Sequence, residues 1–338
     1  MKKEPIARNT SPVKLIEIIL QAKSILITGH VRPDGDSLGC MIALAHLLKR
    51  AGLKAVATAD DCSLGGPGFL KGVHKLLTPE QVLKKSFDLI ITTDCGTFER
   101  LPELLQPLAQ KIPLINIDHH TTNTRFGKWN WIEGHVSSTG EMIWRLARQA
   151  GWQLDNVAAE ALWVAIITDS GRFAYDQTTP ATLRCAADLL RYGVRTALIN
   201  DILYCSFSRV SMELKRRAYQ TLTISDQDQV ASVTLTGKDF DETGGTKADA
   251  EDVIEIPRSL SGNRVAIFFY GNEEDEGETR VSIRTRAPLD ATLIARQFGG
   301  GGHMRAAGCT LQQPLRQAQK TIRQAVSALL ARHPLISK

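Results

Sequence analysis

Three short apolar runs, Ser24–Thr28 (SILIT), Asp88–Thr93 (DLIITT) and Pro113–Ile117 (PLINI), have the length of buried strands, and each stops on an acid or an imidazole. The first runs into Gly29-His30 and on through Asp34-Gly35-Asp36. The second runs into Asp94-Cys95-Gly96, and the third into Asp118-His119-His120. A fourth apolar stretch, Leu162–Thr168, ends in Asp169-Ser170-Gly171. Helical sequence separates the runs. One helix is expected over about Leu38–Arg50, with Gly52 as its stop. Ser138-x-x-Glu141 reads as a capping box opening a helix to Ala150, closed by Gly151. Asp155 caps the helical or mixed segment that leads to Asp169, and Thr179-Pro180 starts a helix ended by Gly193. Strand and helix alternating in this way predict an α/β fold, a parallel sheet with helices on both faces.

The pattern changes after residue 195. A helical stretch near Arg195–Gln220 leads into strand-like runs at Val230–Thr236, Arg264–Tyr270 and Thr279–Arg286, with a last helix over Pro314–Ala331. The expected division is a catalytic domain over 1–195, a helical linker over 196–220 and a smaller α/β domain with a mixed sheet over 221–338. The 338 residues suffice for two ordinary domains. There is no apolar run of about 18 residues, and Val13–Gln21 lacks the length and cleavage site of a secretory signal, so no membrane association is expected. Six scattered cysteines without a Cys-x-x-Cys pair suit a reducing cytoplasm. The net charge is +5; residues 1–220 carry 27 basic and 21 acidic side chains, residues 221–338 carry 14 and 15. That mild excess permits an anionic partner and equally fits a solvated lysine-rich surface.

In an open α/β sheet, ligands bind at the carboxyl edge, where these acids and histidines fall. Gathering four or more carboxylates away from bulk water is costly unless cations cancel their charge. A mixed histidine and carboxylate set suits Mn(II), Zn(II) or Fe(II) more than Mg(II). Two ions about 3.5–4 Å apart, bridged by a carboxylate, would activate water for attack on phosphorus. Taken singly, each residue has a plainer reading. Asp36 could cap the helix after Asp34-Gly35, Asp94 or Asp169 could cap another, and His46 is expected to pack. The coincidence of four such segment ends points to metal.

His30-x-x-x-Asp34-x-Asp36, Asp94-Cys95-Gly96, Asp118-His119-His120 and Thr168-Asp169-Ser170-Gly171 resemble the four motifs of the DHH phosphoesterase superfamily. Gly299-Gly-Gly-Gly-His303-x-x-Ala-Ala-Gly308 resembles the signature of its DHH-associated C-terminal domain. The resemblance covers nearly the whole chain. It implies that His30, Asp34 and Asp94 hold one metal ion and Asp36, Asp94, His119 and Asp169 the other, with Asp94 the bridge and Mn(II) the usual ion. It also implies that Asp118 orients its neighbours and that His120 faces the scissile phosphate as donor or acid.

In the second domain, Gly300, Gly301 and Gly302 offer backbone N–H groups that no side chain obstructs. His303 and Arg284 add donors for a terminal phosphate, Arg286 is expected on the same strand face as Arg284, and Arg258 has a weaker claim. Phe298 is expected to pack under the loop. The basic C-terminal motif of a DHH-type pyrophosphatase, the extra domains of RecJ-like exonucleases and the membrane spans of cyclic-dinucleotide phosphodiesterases are not found. What remains resembles the compact oligoribonucleases, or nanoRNases. The implied activity is cleavage of very short RNA oligonucleotides, about two to five residues long, and dephosphorylation of 3′-phosphoadenosine 5′-phosphate. Hydrolysis of linear dinucleotides from cyclic-dinucleotide turnover, or of longer single strands, is the alternative. A homodimer is compatible with this reading.

Overall fold

The computed structural model describes residues 9–60, 66–272 and 277–334. Part of the acidic turn expected over Gly271–Glu278 therefore lies outside the described residues. The chain divides into two compact units, Met1–Cys205 and Ser206–Lys338, so the divide falls within the stretch expected to be a linker. That stretch is not one helix. It comprises Thr196–Asn200, a π turn over Asp201–Cys205 and the helix Arg209–Gln220.

The first unit is built on five parallel strands: β1 (Ile25–Thr28), β2 (Ala55–Thr58), β3 (Leu89–Thr93), β4 (Leu114–Asp118) and β5 (Trp129–Ile132). Their order is β2-β1-β3-β4-β5. β2 and β5 escape the sequence reading because Ala55–Thr58 is short and weakly apolar, and Trp129–Ile132 is interrupted by Asn130. Successive side chains face opposite sides. Ile25, Ile27, Leu89, Ile91, Ile115 and Ile117 join the larger core, while Leu26, Ile90 and Leu114 join the smaller one on the other face. The order reverses between β1 and β3, and this switch point opens a crevice at the carboxyl ends of those two strands.

The helices Gly35–Arg50 and Asn156–Asp169 pack closely in the larger core, where a Cβ on Gly39 would lie 2.3 Å from the Ala161 carbonyl oxygen. Asn156–Asp169 is apolar on every side and buried over Ala158–Ile167. A helix of this kind has no polar stripe to betray its period. Asp169 thus ends a helix, so the segment read as helical or mixed is helical, and the four segment ends are three strands and one buried helix. The first-loop helix starts at Gly35, not Leu38, and its cap is Asp34, whose carboxylate accepts from the Asp36 and Ser37 amides.

The second unit holds six strands: β6 (Thr223–Ser225), β7 (Val230–Leu235), β8 (Val265–Tyr270), β9 (Thr279–Thr285), β10 (Gly301–His303) and β11 (Ala306–Leu311). They lie in the order β10-β11-β9-β8-β7-β6, antiparallel except for the β7–β8 pair. That parallel pair needs a crossover, which the helical turns between Gly237 and Arg258 supply. Helix Leu315–Ala331 covers one face through Leu315, Ala318, Ile322 and Val326. Arg209–Gln220 and the crossover bury Val233, Leu235 and Phe240 on the other.

Candidate active site

β1, β3 and β4 deliver the predicted residues to one crevice. Loop 29–34 and the first turn of Gly35–Arg50 supply His30, Asp34 and Asp36. Asp94 follows β3, Asp118 ends β4, His119 and His120 follow it, and Asp169 closes its buried helix. Asp94 adopts a left-handed backbone at φ 55°, a conformation that aspartate tolerates better than branched residues do. Its amide donates to the Ile117 carbonyl at 3.0 Å, tying the turn to β4.

The side chains form two groups that meet at Asp94. On one side, His30 Nε2 lies 3.5 Å from Asp94 Oδ2 and 3.9 Å from Asp34 Oδ2. On the other, His119 Nε2 lies 3.7 Å from Asp94 Oδ1, 3.9 Å from Asp36 Oδ2 and 3.1 Å from Asp169 Oδ2. The trios His30–Asp34–Asp94 and Asp36–His119–Asp169 each bring one ligand atom per residue within 4.8 Å of one another. A third trio adds His120 to Asp94 and His119. However, His120 Nδ1 donates to Asp118 Oδ1 at 2.7 Å, which leaves that nitrogen poorly suited to a cation.

These groups fit divalent cations. Asp169 Oδ2 is buried and makes no hydrogen bond, although His119 Nε2 is 3.1 Å away. A buried carboxylate oxygen with no hydrogen-bond donor is a ready ligand for a cation. His30 Nδ1 lies 2.8 Å from the Val31 carbonyl, a contact that orients the ring so that Nε2 faces the carboxylates. Asp118, fully buried, accepts from His120 with one oxygen and from Asn123 Nδ2 with the other, so both its oxygens are occupied.

The electrostatics agree. Burial alone would lower the His30 pKa, but the carboxylates of Asp34 and Asp94 outweigh it and lift it to about 10. Against the same effect of burial, Asp118 and Asp94 carry His120 up to about 9. Burial would raise Asp118, yet His120 and Asn123 hold it at about 2. Burial, then the charges of Asp94 and Asp169, pushes Asp36 well above the carboxylate range. Burial, Asp94 and Asp34 do the same to Asp169. Without cations the pocket retains protons that bound cations would displace.

Residues that the motifs do not include also shape the pocket. Thr139 and Gly140 donate their amides to Asp36 Oδ2 and Oδ1 at 2.7 and 2.9 Å, and Thr139 Oγ1 donates to Asp94 Oδ1 at 3.3 Å. Arg100 brings Nη2 within 3.0 Å of His30 Nδ1. The sequence signal at 139 was the Ser138-x-x-Glu141 pattern, which reads only as a helix start. Half of that box forms. Ser138 Oγ accepts from the Glu141 amide, but the Glu141 carboxylate accepts instead from the hydroxyls of Ser137 and Thr182, each at 2.8 Å. His46 pairs with Asp155 at 2.8 Å, away from the pocket residues.

In the second unit, Val281 and Ile283 enter the core while Arg280, Ser282 and Arg284 face the opposite side of β9. Arg284 stands in register between Ala266 on β8 and Ala306 on β11, two small neighbours that leave room beside its guanidinium. Arg286 follows the last residue of β9, Thr285, and its amide still donates to the Arg264 carbonyl at 2.9 Å, just before Ala287-Pro288, whose proline has no amide for a ladder. Its guanidinium donates to Asn263 Oδ1 and to the Arg258 carbonyl. Arg258 forks onto Glu255 at 2.9 and 3.1 Å. The glycine run is not an open row of donors either. The Gly300 amide donates to the Ala295 carbonyl at 2.9 Å, and Gly301–His303 pairs with β11. A Cβ on Gly300 would lie 2.1 Å from the Gly308 carbonyl, so close strand approach requires glycine there. Phe298 packs against the core. The side chain of His303 lies outside the described residues.

A parallel sheet with this acid and imidazole pocket, joined to a mixed-sheet unit, defines the DHH class of phosphoesterases. The DHH family N-terminal domain matches residues 24–166 and the DHHA1 domain matches residues 227–331. The bifunctional oligoribonuclease and PAP phosphatase NrnA of Thermus thermophilus is 31% identical over 335 residues, which is 97% of this chain and 97% of that protein. NrnA of Bacillus subtilis is 28% identical over 307 residues, 88% of this chain and 92% of its own. The crystal structure of an exopolyphosphatase-related protein from Bacteroides fragilis shares the fold, with a TM-score of 0.83 at 22% identity, covering 94% of this chain and 95% of that one. The chain belongs to the DHH family of NrnA-type bifunctional oligoribonucleases and PAP phosphatases.

Proposed function

We propose that this protein hydrolyses phosphoric esters with two divalent cations, Mn(II) foremost. It cleaves RNA oligonucleotides of about two to five residues to mononucleotides and removes the 3′ phosphate of 3′-phosphoadenosine 5′-phosphate. The observation that carries this reading is the placement of Asp94, with Oδ2 toward His30 and Asp34 and Oδ1 toward His119, near Asp36 and Asp169. One carboxylate between two ligand groups suits a bridge between two cations.

In this reading His30, Asp34 and Asp94 hold one ion, and Asp36, Asp94, His119 and Asp169 the other. When bound, the cations supply Lewis acidity, activating water as the nucleophile and neutralising charge that develops on the phosphoryl oxygens. The chain's own groups do the rest. Asp118 accepts the Nδ1 proton of His120, which keeps that imidazole protonated and directs Nε2–H to the scissile phosphate or its leaving oxygen. Arg284, flanked by alanines, binds a terminal phosphate, with His303 and the Gly300–Gly302 segment one strand further along the sheet, beyond β11. Arg286 and Arg258 add positive charge to the same unit, held by Asn263, the Arg258 carbonyl and Glu255. Buried Cys40, Cys95, Cys185 and Cys309 thiols suit a cytoplasmic protein, and among the described residues no helix is long and apolar enough to cross a membrane.

The test is turnover of dinucleotides by the purified chain with Mn(II), followed by specificity constants across a series reaching roughly twenty nucleotides. Mononucleotide release that declines beyond about five residues is expected. A flat profile would assign the protein to longer single strands. Turnover confined to dinucleotides would favour a role after cyclic-dinucleotide opening. No turnover by a folded, metal-loaded chain would refute the proposal.

A further inference from the structure

Asp36 and Asp94 are both nearly fully buried, and a ligand carboxylate in such a place needs donors to fix its direction as well as a cation to cancel its charge. Asp36 receives three. The Thr139 amide reaches Oδ2 at 2.7 Å, the Gly140 amide reaches Oδ1 at 2.9 Å, and the Cys40 thiol reaches Oδ1 at 3.3 Å. Asp94 Oδ1 receives the Thr139 hydroxyl at 3.3 Å. A single residue thus touches two carboxylates on the His119 side of the pocket, Asp36 through its backbone and the shared Asp94 through its side chain.

The turn carrying Thr139 is itself tied down. Thr139 is fully buried at the start of helix Thr139–Ala150, and Ser138 caps that helix through its hydroxyl. The buried Glu141 carboxylate accepts from Ser137 Oγ on the same turn and from Thr182 Oγ1 on helix Pro180–Leu190. A Cβ on Gly140 would lie 2.6 Å from the Ala165 Cβ, so the turn presses onto the helix that ends in Asp169. A threonine serving only to begin a helix would need neither its hydroxyl on Asp94 nor this anchoring.

We infer that Thr139 is a positioning residue for the metal pair. Its hydroxyl sets the rotation of the bridging Asp94 carboxylate, and its amide sets that of Asp36. The inference rests on the two-cation reading above. A carboxylate accepts only, so the hydroxyl must donate to Asp94, and Oδ1 then keeps its other lone pair for the cation shared with His119 and Asp169. Thr139→Val keeps the branched shape and the backbone amide but removes this donor. Thr139→Ser keeps the donor and removes only a methyl.

The experiment is Mn(II) titration of chelator-stripped wild type, Thr139→Val, Thr139→Ser and Asp94→Ala, reading free Mn(II) by its paramagnetic resonance, with thermal melts of each stripped protein. Thr139→Val is expected to bind Mn(II) about 10–100-fold more weakly, the usual effect of losing a hydrogen bond that orients a ligand. Its melting temperature without metal should stay close to wild type, and Thr139→Ser should recover the affinity. Should the valine pack badly and lower the melting temperature, Thr139→Ala repeats the hydroxyl loss with a smaller side chain and is expected to give the same weakened titration. Wild-type affinity in both Thr139→Val and Thr139→Ala, with Asp94→Ala defective, would overturn the role of Thr139 and leave the two-cation reading intact. Fewer than two ions bound by wild type, or full binding by Asp94→Ala, would overturn both.

Discussion

The parallel sheet of the first unit gathers its ionisable groups at one edge and buries most of them, whereas the mixed sheet of the second presents Arg284 on the face of a strand. In the first, three strand ends and one helix end supply five aspartates and three histidines, and Asp36, Asp94, Asp118, His30 and His120 are each held by a neighbour's hydrogen bond. In the second, Arg284 stands between two alanines and donates to the Ile283 carbonyl at 3.2 Å, and Arg286 and Arg258 are held by Asn263, a backbone carbonyl and Glu255. The difference follows from strand direction. Parallel strands place all their carboxyl ends, and the loops that follow, on one side of the sheet. Antiparallel strands scatter their ends, so a ligand surface there depends on side chains that alternate along one strand. The first arrangement suits chemistry that needs fixed distances, the second suits recognition of an anion.

The largest effect that would test this contrast comes from Asp94→Ala. Removing the group common to both ligand sets should depress kcat by about 10³-fold or more, on the scale of losing a central catalytic group. Product release assays on a dinucleotide would measure it. Retention of more than a tenth of the rate would break the division of labour. Next in size is metal removal. At a cation concentration about 100-fold above Kd, binding stabilises the folded state by about 2.7 kcal/mol. Chelation should therefore lower the melting transition of the first unit and leave that of the second in place, as followed by hydrogen exchange of β1, β3 and β4 against β8 and β9. Equal loss of protection in both would show that the cations do not belong to the first unit alone. Arg284→Ala should cost about 1.5–3 kcal/mol of anion binding, the range for a hydrogen bond to a charged group. It should appear as a KM increase with kcat nearly kept. A fall in kcat at unchanged KM would instead place Arg284 at the reacting phosphate.

The contrast also explains what could be read in advance. Strand-end acids were visible because β1, β3 and β4 are continuous apolar runs that stop abruptly on charge. Asp169 was visible as a residue, while the segment before it read as helical or mixed, since Asn156–Asp169 is apolar nearly all round and lacks a helical stripe. Thr139 was hidden because its part is played by a backbone amide, which any residue carries, and by a hydroxyl whose target lies 45 positions away. In the second unit the strand alternation at Arg284 was legible, but β10 and β11 were not. Gly301–His303 owes its strand form to pairing with Ala306–Leu311, a tertiary contact with no local propensity behind it.

The smallest expected effect concerns pH and sharpens the contrast from the side of the protons. In the stripped protein, His30 at about 10 and His120 at about 9 bind protons more tightly folded than unfolded. Their stabilisation is fully present below the ordinary histidine value of 6.5 and is lost as pH rises through about 9 to 10. The raised carboxyls of Asp36 and Asp169 act in the same direction, since they too favour the protonated folded state. Stripped protein should therefore lose stability in the first unit, by a few degrees in melting temperature, as pH rises from about 6.5 toward 10. With Mn(II) present the trend should reverse over the lower part of this range, because cations compete with those protons and bind better as pH rises. Melts at several pH values, with chelator or with Mn(II), give the two slopes directly. Slopes of the same sign would mean that protons and cations do not share the pocket, and the buried edge of the parallel sheet would then have to be explained without metal.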